Sequence, residues 1–146
     1  MKKTWEVPVI CVQQFEANEY VAACWSVACS VGFGNYGGYD WSYWNNFEPL
    51  GRDKDNHTGS CSQAINNQFR VENGVVSFDV EKSDQLGSLS GKYTSYIENG
   101  SDGVVSDGDI IFWYTEAGAD KNSPDGRRWN HYGTVVAADK SHPNRS

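Results

Sequence analysis

The sequence has no long apolar run and little positive charge. Among its 146 residues no stretch of roughly 18 apolar residues occurs, so no membrane-spanning helix is predicted. Twelve Lys and Arg residues stand against 19 Asp and Glu residues, and the net charge is −7. A nucleic-acid-binding surface needs clustered basic side chains to neutralise phosphates, so the composition argues against a nucleic-acid partner.

The N-terminus also lacks the hydrophobic core of a standard signal peptide. Residues 1–3 (Met-Lys-Lys) are typical of the basic start of such a peptide, but Glu6 and Pro8 interrupt the apolar residues that follow. A hydrophobic core of roughly 7–15 residues therefore does not form. The sequence predicts that any export follows a non-standard route, and a cytoplasmic location stays open.

Aromatic residues and glycine are abundant: there are six Trp, eight Tyr, six Phe and 15 Gly residues. Aromatic rings bury large areas and favour strands, and a chain of this length accommodates one core. We therefore expect a single mostly β domain over residues 1–146, with α+β as the alternative. Its predicted architecture is a small antiparallel sheet or sandwich with one or two short helices. Residues 1–24 are a candidate leader-like or strand-donating segment.

Local patterns predict several strands. The clearest signal is a hairpin over residues 69–80, because Asn73-Gly74 fits a turn that needs two positive φ angles. Residues 109–115 and 129–138 are predicted to be two further strands. An additional strand over residues 5–15 contains a proline, which favours an edge position that another copy of the chain could extend.

Helical spacing predicts three short helical segments. The first lies within residues 16–31, and the second comprises one or two turns within residues 61–69. The third has Leu89, Tyr93 and Ile97 on one face.

Residues 32–47 mix glycine, asparagine and aromatic residues. One interpretation is a long loop whose rings cover the core, and the other is an exposed platform that contacts a glycan or another protein chain. The candidate platform residues are Tyr36, Tyr39, Trp41, Tyr43 and Trp44.

A cysteine and a histidine form the strongest candidate catalytic pair. Cys61 precedes a predicted helical turn, and His131 lies on a predicted strand. A thiol at a helix N-terminus is stabilised as the thiolate, and a facing imidazole could accept its proton. His142 and Asn130 are the candidates for the group that orients this imidazole.

These residues resemble the NlpC-type cell-wall endopeptidases, in which a cysteine opens a helix and a later His-x-Gly strand carries the catalytic histidine. The likeness covers about the second half of the chain. Its matching residues are Cys61, Gly108, Asp109, Phe112, His131, Gly133 and His142. The resemblance implies a cysteine hydrolase of cell-wall peptide bonds. The chain departs from the family pattern at Ser60, where Asp or Asn usually precedes the cysteine.

A wider resemblance covers most of the chain. Residues 3–8 (Lys-Thr-Trp-Glu-Val-Pro) and 18–24 (Asn-Glu-Tyr-Val-Ala-Ala-Cys) are similar to the opening of a group of uncharacterised small bacterial proteins. The resemblance implies relatives without implying an activity. A leader-like start in that group would suit export or processing of a precursor.

Four cysteines leave the redox state open. Cys11, Cys24, Cys29 and Cys61 permit two disulfides in three connectivities, and buried free thiols are equally allowed. Cys24, Cys29 and Cys61 together with His57 could instead form a Cys₃His zinc site, although their spacings are looser than those of common zinc knuckles.

A calcium-type loop is a further candidate site. The sequence predicts no cofactor, with calcium at this loop as the alternative. Glu98, Asp102 and Asp109 fall at positions one, five and twelve of a degenerate calcium loop. Gly100 occupies position three, where an oxygen ligand belongs. An ordinary Gly-Asp turn is the alternative interpretation.

Three functions follow from these features. The first hypothesis is an exported or surface-displayed structural or interaction protein, which assembles with itself or with another cell-surface protein through the strand at residues 5–15. The second is the cysteine hydrolase, in which Cys61 is the nucleophile and His131 the base. The third is a carbohydrate-binding module that uses the aromatic platform.

Overall fold

The computed structural model describes residues 23–51, 53, 56–78, 80–83, 87–117 and 126–137. The predicted strand at residues 5–15, Cys11 and His142 lie outside the described residues, as does nearly all of the segment 1–24. No helix among the described residues is long and apolar enough to cross a membrane.

Strands make up most of the regular secondary structure among the described residues. In chain order they are β1 Ala23–Val27, β2 Gln68–Glu72, β3 Val75–Phe78, β4 Val80–Ser83, β5 Gly87–Ile97, β6 Ile110–Ala117 and β7 Arg127–Ala137. The single α-helix of the described part, α1, spans Trp44–Phe47, and two 3₁₀ turns span Ser60–Ser62 and Ala64–Asn66. The prediction of a mostly β antiparallel fold with short helices is confirmed.

The strands form one antiparallel sheet in the order β3-β2-β1-β7-β6-β5-β4. β3 and β4 stand at its two ends, yet a single residue separates them in the chain. β3 also packs on β5, where a side chain at Gly91 would lie 3.0 Å from Phe78. The sheet therefore curls back on itself and is nearly barrel-shaped, with β3 and β4 counting as one of six strands. Such closure leaves little free strand edge.

The core lies on the concave side of the sheet. Val27, Phe69, Ile111, Trp113 and Val135 are completely buried there. On β6, Ile111 and Trp113 point into this core because alternate residues of a strand face the same side.

The opposite side of β6 is covered by the long connection between β1 and β2, residues 28–67. Phe112 faces this connection and packs edge-on against Phe47, with ring centroids 5.5 Å apart. The regular structure among the described residues of this connection consists of α1 and the two 3₁₀ turns. Loops longer than about 12–15 residues without their own regular structure are uncommon in compact domains, so additional contacts must hold this one in place.

The hairpin prediction is confirmed in detail. Asn73 and Gly74 have φ angles of 51° and 77°, and β2 pairs with β3 from Glu72↔Val75 to Phe69↔Phe78. The predicted strands at residues 109–115 and 129–138 correspond to β6 and β7.

Two helix predictions are wrong where the structure describes their residues. Within the segment 16–31, residues 23–27 form β1, which pairs with β2 on one side and β7 on the other. Leu89, Tyr93 and Ile97 lie on β5. A spacing of four residues is even, so it also fits one face of a strand, as for Leu89 and Tyr93. The register shift between Tyr93 and Ser95 then turns Ile97 to the opposite face. The Ser, Thr, Tyr and Gly residues of β5 are poor helix formers, and pairing with β6 decides the outcome.

Candidate functional site: a buried Cys-His cluster

Four side chains converge at one place beside the core. Cys29 follows β1, His57 and Cys61 lie in the long connection, and His131 lies on β7. Their ligand atoms all lie within 4.8 Å of one another. The four residues are between 1% and 5% exposed. Residues distant in the sequence thus meet in a dry pocket that is rich in nitrogen and sulfur.

Backbone contacts fix the two cysteines. The Cys29 amide donates to the Cys61 carbonyl at 2.7 Å, which places the two thiols side by side. The side chain of Asn67, itself buried, donates from Nδ2 to the carbonyls of Cys61 at 2.7 Å and Val27 at 2.9 Å. Hydrogen bonds from the Cys29 amide and the Asn67 side chain, in addition to contacts between the thiols, therefore hold the end of β1 against the turn that carries Cys61.

Both histidines present the same nitrogen to the sulfurs. His57 Nδ1 lies 3.3 Å from Cys61 Sγ and 3.8 Å from Cys29 Sγ, and His131 Nδ1 lies 3.4 Å from Cys29 Sγ. A tetrahedral zinc ion with Zn–S near 2.3 Å and Zn–N near 2.0–2.1 Å separates sulfur from nitrogen by about 3.6 Å. The measured separations bracket that value.

The other nitrogen of each ring has its own partner. His57 Nε2 lies 2.7 Å from Asp53 Oδ2, and His131 Nε2 lies 2.9 Å from Thr115 Oγ1. Metal-binding histidines characteristically donate their second ring nitrogen to a carboxylate or another oxygen, which fixes the tautomer and the ring orientation. The His131 ring also stacks on Trp113, with centroids 5.0 Å apart and planes inclined by 19°.

The surroundings shift the pKa values of the two thiols in opposite directions. Burial raises the pKa of Cys29 well above its ordinary value. The pKa of Cys61 is strongly lowered, first by the hydrogen bond from Cys29 and then by those from His131 and His57, against the opposing effect of burial. Burial by itself would lower the pKa of His57, but its hydrogen bonds to Asp53 and Cys61 outweigh that effect and raise the pKa to about 9. The directions of these pKa shifts favour a thiolate at Cys61 and a protonated ring at His57.

The predicted catalytic residues are only partly assembled. Cys61 and His131 do meet in the cluster. Asn130, a predicted orienting residue, directs its side chain elsewhere and donates to the Gly51 carbonyl at 2.6 Å. The hydrogen bond at His131 Nε2 is formed with Thr115 instead. Cys61 is the middle residue of a three-residue 3₁₀ turn, Ser60–Ser62, which is too short to supply an appreciable helix dipole.

The cysteine predictions have a mixed outcome. Cys29 and Cys61 are free thiols in the structure, so they do not form one of the disulfides that the cysteine count allows. The cluster confirms that Cys29, His57 and Cys61 lie together, as the zinc interpretation required. His131 supplies the fourth ligand atom, a role that the sequence predicted for Cys24, whose side chain is not among those described. The Asn-His-x-Gly run on β7 is the sequence pattern that singles out His131, but this pattern predicts a catalytic base and not a metal ligand.

The predicted calcium residues also lie together, but hydrogen bonds occupy their carboxylates. Glu98 Oε1 accepts from the Asp102 amide at 3.1 Å, and Asp109 accepts from the amides of Asn99 at 2.8 Å and Ser106 at 2.9 Å. These contacts are those of an ordinary turn, and they carry no argument for a bound cation.

The predicted aromatic platform divides into two sets. Trp41 and Tyr39 are 72% and 52% exposed, and Phe33 beside them in the chain is 79% exposed. Tyr36 and Trp44 are half-buried. Tyr43 packs against the sheet instead, with its ring centroid 4.8 Å from that of Tyr132.

Replacing Thr115 with valine tests the hydrogen bond to His131. Thr115 is completely buried, and valine has nearly the same shape but cannot accept a hydrogen bond. We expect Thr115→Val to weaken zinc binding by about 10- to 100-fold, as loss of such supporting hydrogen bonds does at other metal sites. Competition with a chromogenic zinc chelator measures the affinity. Thr134→Val on the exposed side of β7 is the control and should leave the affinity unchanged. Equal affinities for Thr115→Val and wild type would contradict the role of Thr115.

No protein-family model matches the chain, and neither a curated protein nor a solved structure matches it. The chemistry of the cluster is therefore the basis for a functional proposal.

Proposed function

We propose that this protein is a zinc-binding β domain in which one Zn²⁺ is held by Cys29, His57, Cys61 and His131. The observation that carries the proposal is the convergence of four buried ligand atoms within 4.8 Å. The sulfur–nitrogen separations and the occupied Nε2 atoms support it. Two thiolates and two imidazoles in a tetrahedral arrangement favour zinc over magnesium or calcium, which prefer oxygen ligands.

The metal has a structural role in this proposal. Four protein ligands complete the tetrahedral shell, whereas catalytic zinc sites keep one position for water or substrate. The ligands come from the end of β1, the long connection and β7, so one ion ties the connection to the sheet.

The domain's wider role as an interaction protein remains a prediction. The exposed rings of Phe33, Tyr39 and Trp41 support a contact surface on the long connection. Export, display at the cell surface and self-assembly through residues 5–15 remain parts of that prediction.

A cysteine hydrolase is the second candidate function. Cys61, His57 and Asp53 are arranged in series, with separations of 3.3 Å and 2.7 Å, as in a nucleophile–base–acid triad. The burial of Cys61 and the convergence of a second thiol and a second imidazole on it favour the metal instead.

Zinc loading and thiol alkylation separate the two candidates. We expect native mass spectrometry of the reduced protein to show one zinc ion per chain, and mapping of iodoacetamide adducts to show Cys29 and Cys61 protected together until the metal is chelated. Ser62→Cys, at an exposed neighbouring position, is the alkylation control and should react in both forms. Absence of zinc together with selective alkylation of Cys61 would overturn the zinc proposal in favour of the hydrolase.

Zinc binding should release protons. Near pH 7 the raised pKa values of Cys29 and His57 keep the proton on the Cys29 thiol and on His57 Nδ1, and both atoms must lose it to bind the metal. We expect about two protons released per zinc ion, with affinity falling as pH is lowered. Calorimetry in buffers of different ionisation enthalpy measures the number. Uptake without proton release, or affinity independent of pH between 6 and 8, would contradict this ligand set.

A further inference from the structure

We propose that Asp53 is a positioning residue that couples the metal site to the exposed aromatic loop, residues 33–41, so that zinc occupancy orders this loop. The inference rests on the proposed zinc site. It concerns the regulation of a surface that lies apart from the metal itself.

Asp53 joins three segments through its two carboxylate oxygens. Oδ2 accepts from the Gly37 amide at 2.6 Å and contacts His57 Nε2 at 2.7 Å, while Oδ1 accepts from the Asn130 amide at 2.6 Å. The carboxylate is buried, so each of these bonds replaces one to water. A single side chain thus contacts a proposed ligand, the aromatic loop and β7.

His57 holds the loop a second time through its backbone. The Gly34 amide donates to the His57 carbonyl at 2.9 Å, and the His57 amide donates to the Asn35 carbonyl at 3.0 Å. These two anchors, the backbone pair and the Asp53 bridge, therefore meet at His57. Restraint of His57 restrains residues 34–37 of the loop, while Asp40 near its other end is held separately by the Tyr132 hydroxyl, which donates to Asp40 Oδ2 at 2.7 Å.

The fit at Gly37 is close. A Cβ atom at this position would lie 2.3 Å from the Asn130 carbonyl oxygen and 2.8 Å from Asp53 Oδ2. The loop backbone is therefore pressed against β7 at the point where Asp53 binds it. A small displacement of Asp53 would open this contact.

Zinc at His57 Nδ1 fixes the ring and leaves Nε2–H directed at Asp53. Without the metal, the ring is held on the Nδ1 side only by hydrogen bonds to the thiols. Amide exchange from such a loop reports the free energy of local opening. Because Phe33, Tyr39 and Trp41 lie in this loop, their presentation at the surface becomes dependent on zinc.

Amide exchange at Gly34 and Gly37, followed by NMR in the full-length protein, tests the coupling. Wild type should show at least about 10-fold slower exchange at both amides with saturating zinc than after chelation. Asp53→Ala removes the carboxylate and leaves Gly37, His57 and Asn130 without this acceptor. In this variant at saturating zinc, the slowing at Gly37 should be lost, while Gly34 keeps part of it through the His57 carbonyl.

Asp109→Ala is the matched control. Asp109 is also a buried carboxylate that accepts two backbone amides, but it lies in another loop. It should leave the zinc response at Gly37 intact, whereas a purely structural role for Asp53 would make the two variants behave alike.

The outcomes separate the two proposals. Failure of wild type to bind zinc in the mass measurement would overturn the proposed function. If wild type binds zinc but its amide exchange at Gly34 and Gly37 is the same with zinc and after chelation, the coupling alone would be overturned. A full zinc response at Gly37 in Asp53→Ala would show that Asp53 does not carry it, and would likewise overturn the inference.

Discussion

The Cys61→Ser variant is expected to lose stoichiometric zinc and to melt about 10–20 °C below the zinc-loaded wild type. A serine hydroxyl does not replace a thiolate as a zinc ligand, because zinc at such sites is bound by deprotonated sulfur. Free zinc at 1,000 times the dissociation constant stabilises a folded protein by about 4 kcal/mol, which corresponds to a shift of that size in a domain of this length. Scanning calorimetry in zinc buffer measures the difference.

Two controls isolate the metal from the packing of Cys61. Chelator should bring wild type down to nearly the melting temperature of Cys61→Ser, since the variant differs from metal-free wild type by a single atom. Ser62→Ala, at the exposed next position, should retain zinc and melt within a few degrees of wild type. If chelator left the melting temperature of the wild-type protein unchanged, the structural role of the metal would be refuted.

The Gly133→Ala variant is expected to lose about 3 kcal/mol or more of unfolding free energy. A Cβ atom at Gly133 would lie 2.1 Å from the Ala28 carbonyl oxygen and 2.7 Å from Val27 Cγ2. Because the Ala28 carbonyl oxygen is a backbone atom, the clash can be relieved only if the end of β1 moves. Cys29 follows directly, and the bond from the Ser30 amide to the Tyr132 carbonyl at 2.7 Å lies in the same contact. The variant should therefore also bind zinc more weakly.

Urea unfolding with saturating zinc measures the loss, and Gly100→Ala is its control. The nearest atom to a Cβ at Gly100 is Glu98 Oε1 at 3.9 Å, so this substitution should change stability by no more than about 0.5 kcal/mol. Equal unfolding free energies for the two variants would show that β1 does not pass so close to β7.

The sequence indicated the local elements of this fold better than its long-range pairings. Asn73-Gly74 determines its turn through residues adjacent in the chain, and this prediction is correct. β1 was mistaken for part of a helix because its strand character comes from pairing with β2 and β7, partners that lie 40 or more residues away in sequence.

The site follows the same pattern. His57 and Cys61 are four residues apart, and their association was predicted. The joining of Cys29 to His131 depends on β7 lying beside β1, which no local spacing reveals. Asp53 and Thr115 were not predicted at all, because a carboxylate or hydroxyl that supports a ligand has no sequence signature without the fold.

X-ray absorption at the zinc edge of the purified, reduced protein tests the central claim most directly. The account predicts a four-coordinate ion with two sulfurs at about 2.3 Å and two imidazole nitrogens at about 2.0–2.1 Å. A shell of oxygen and nitrogen without sulfur, or a protein that takes up no zinc at all, would contradict it.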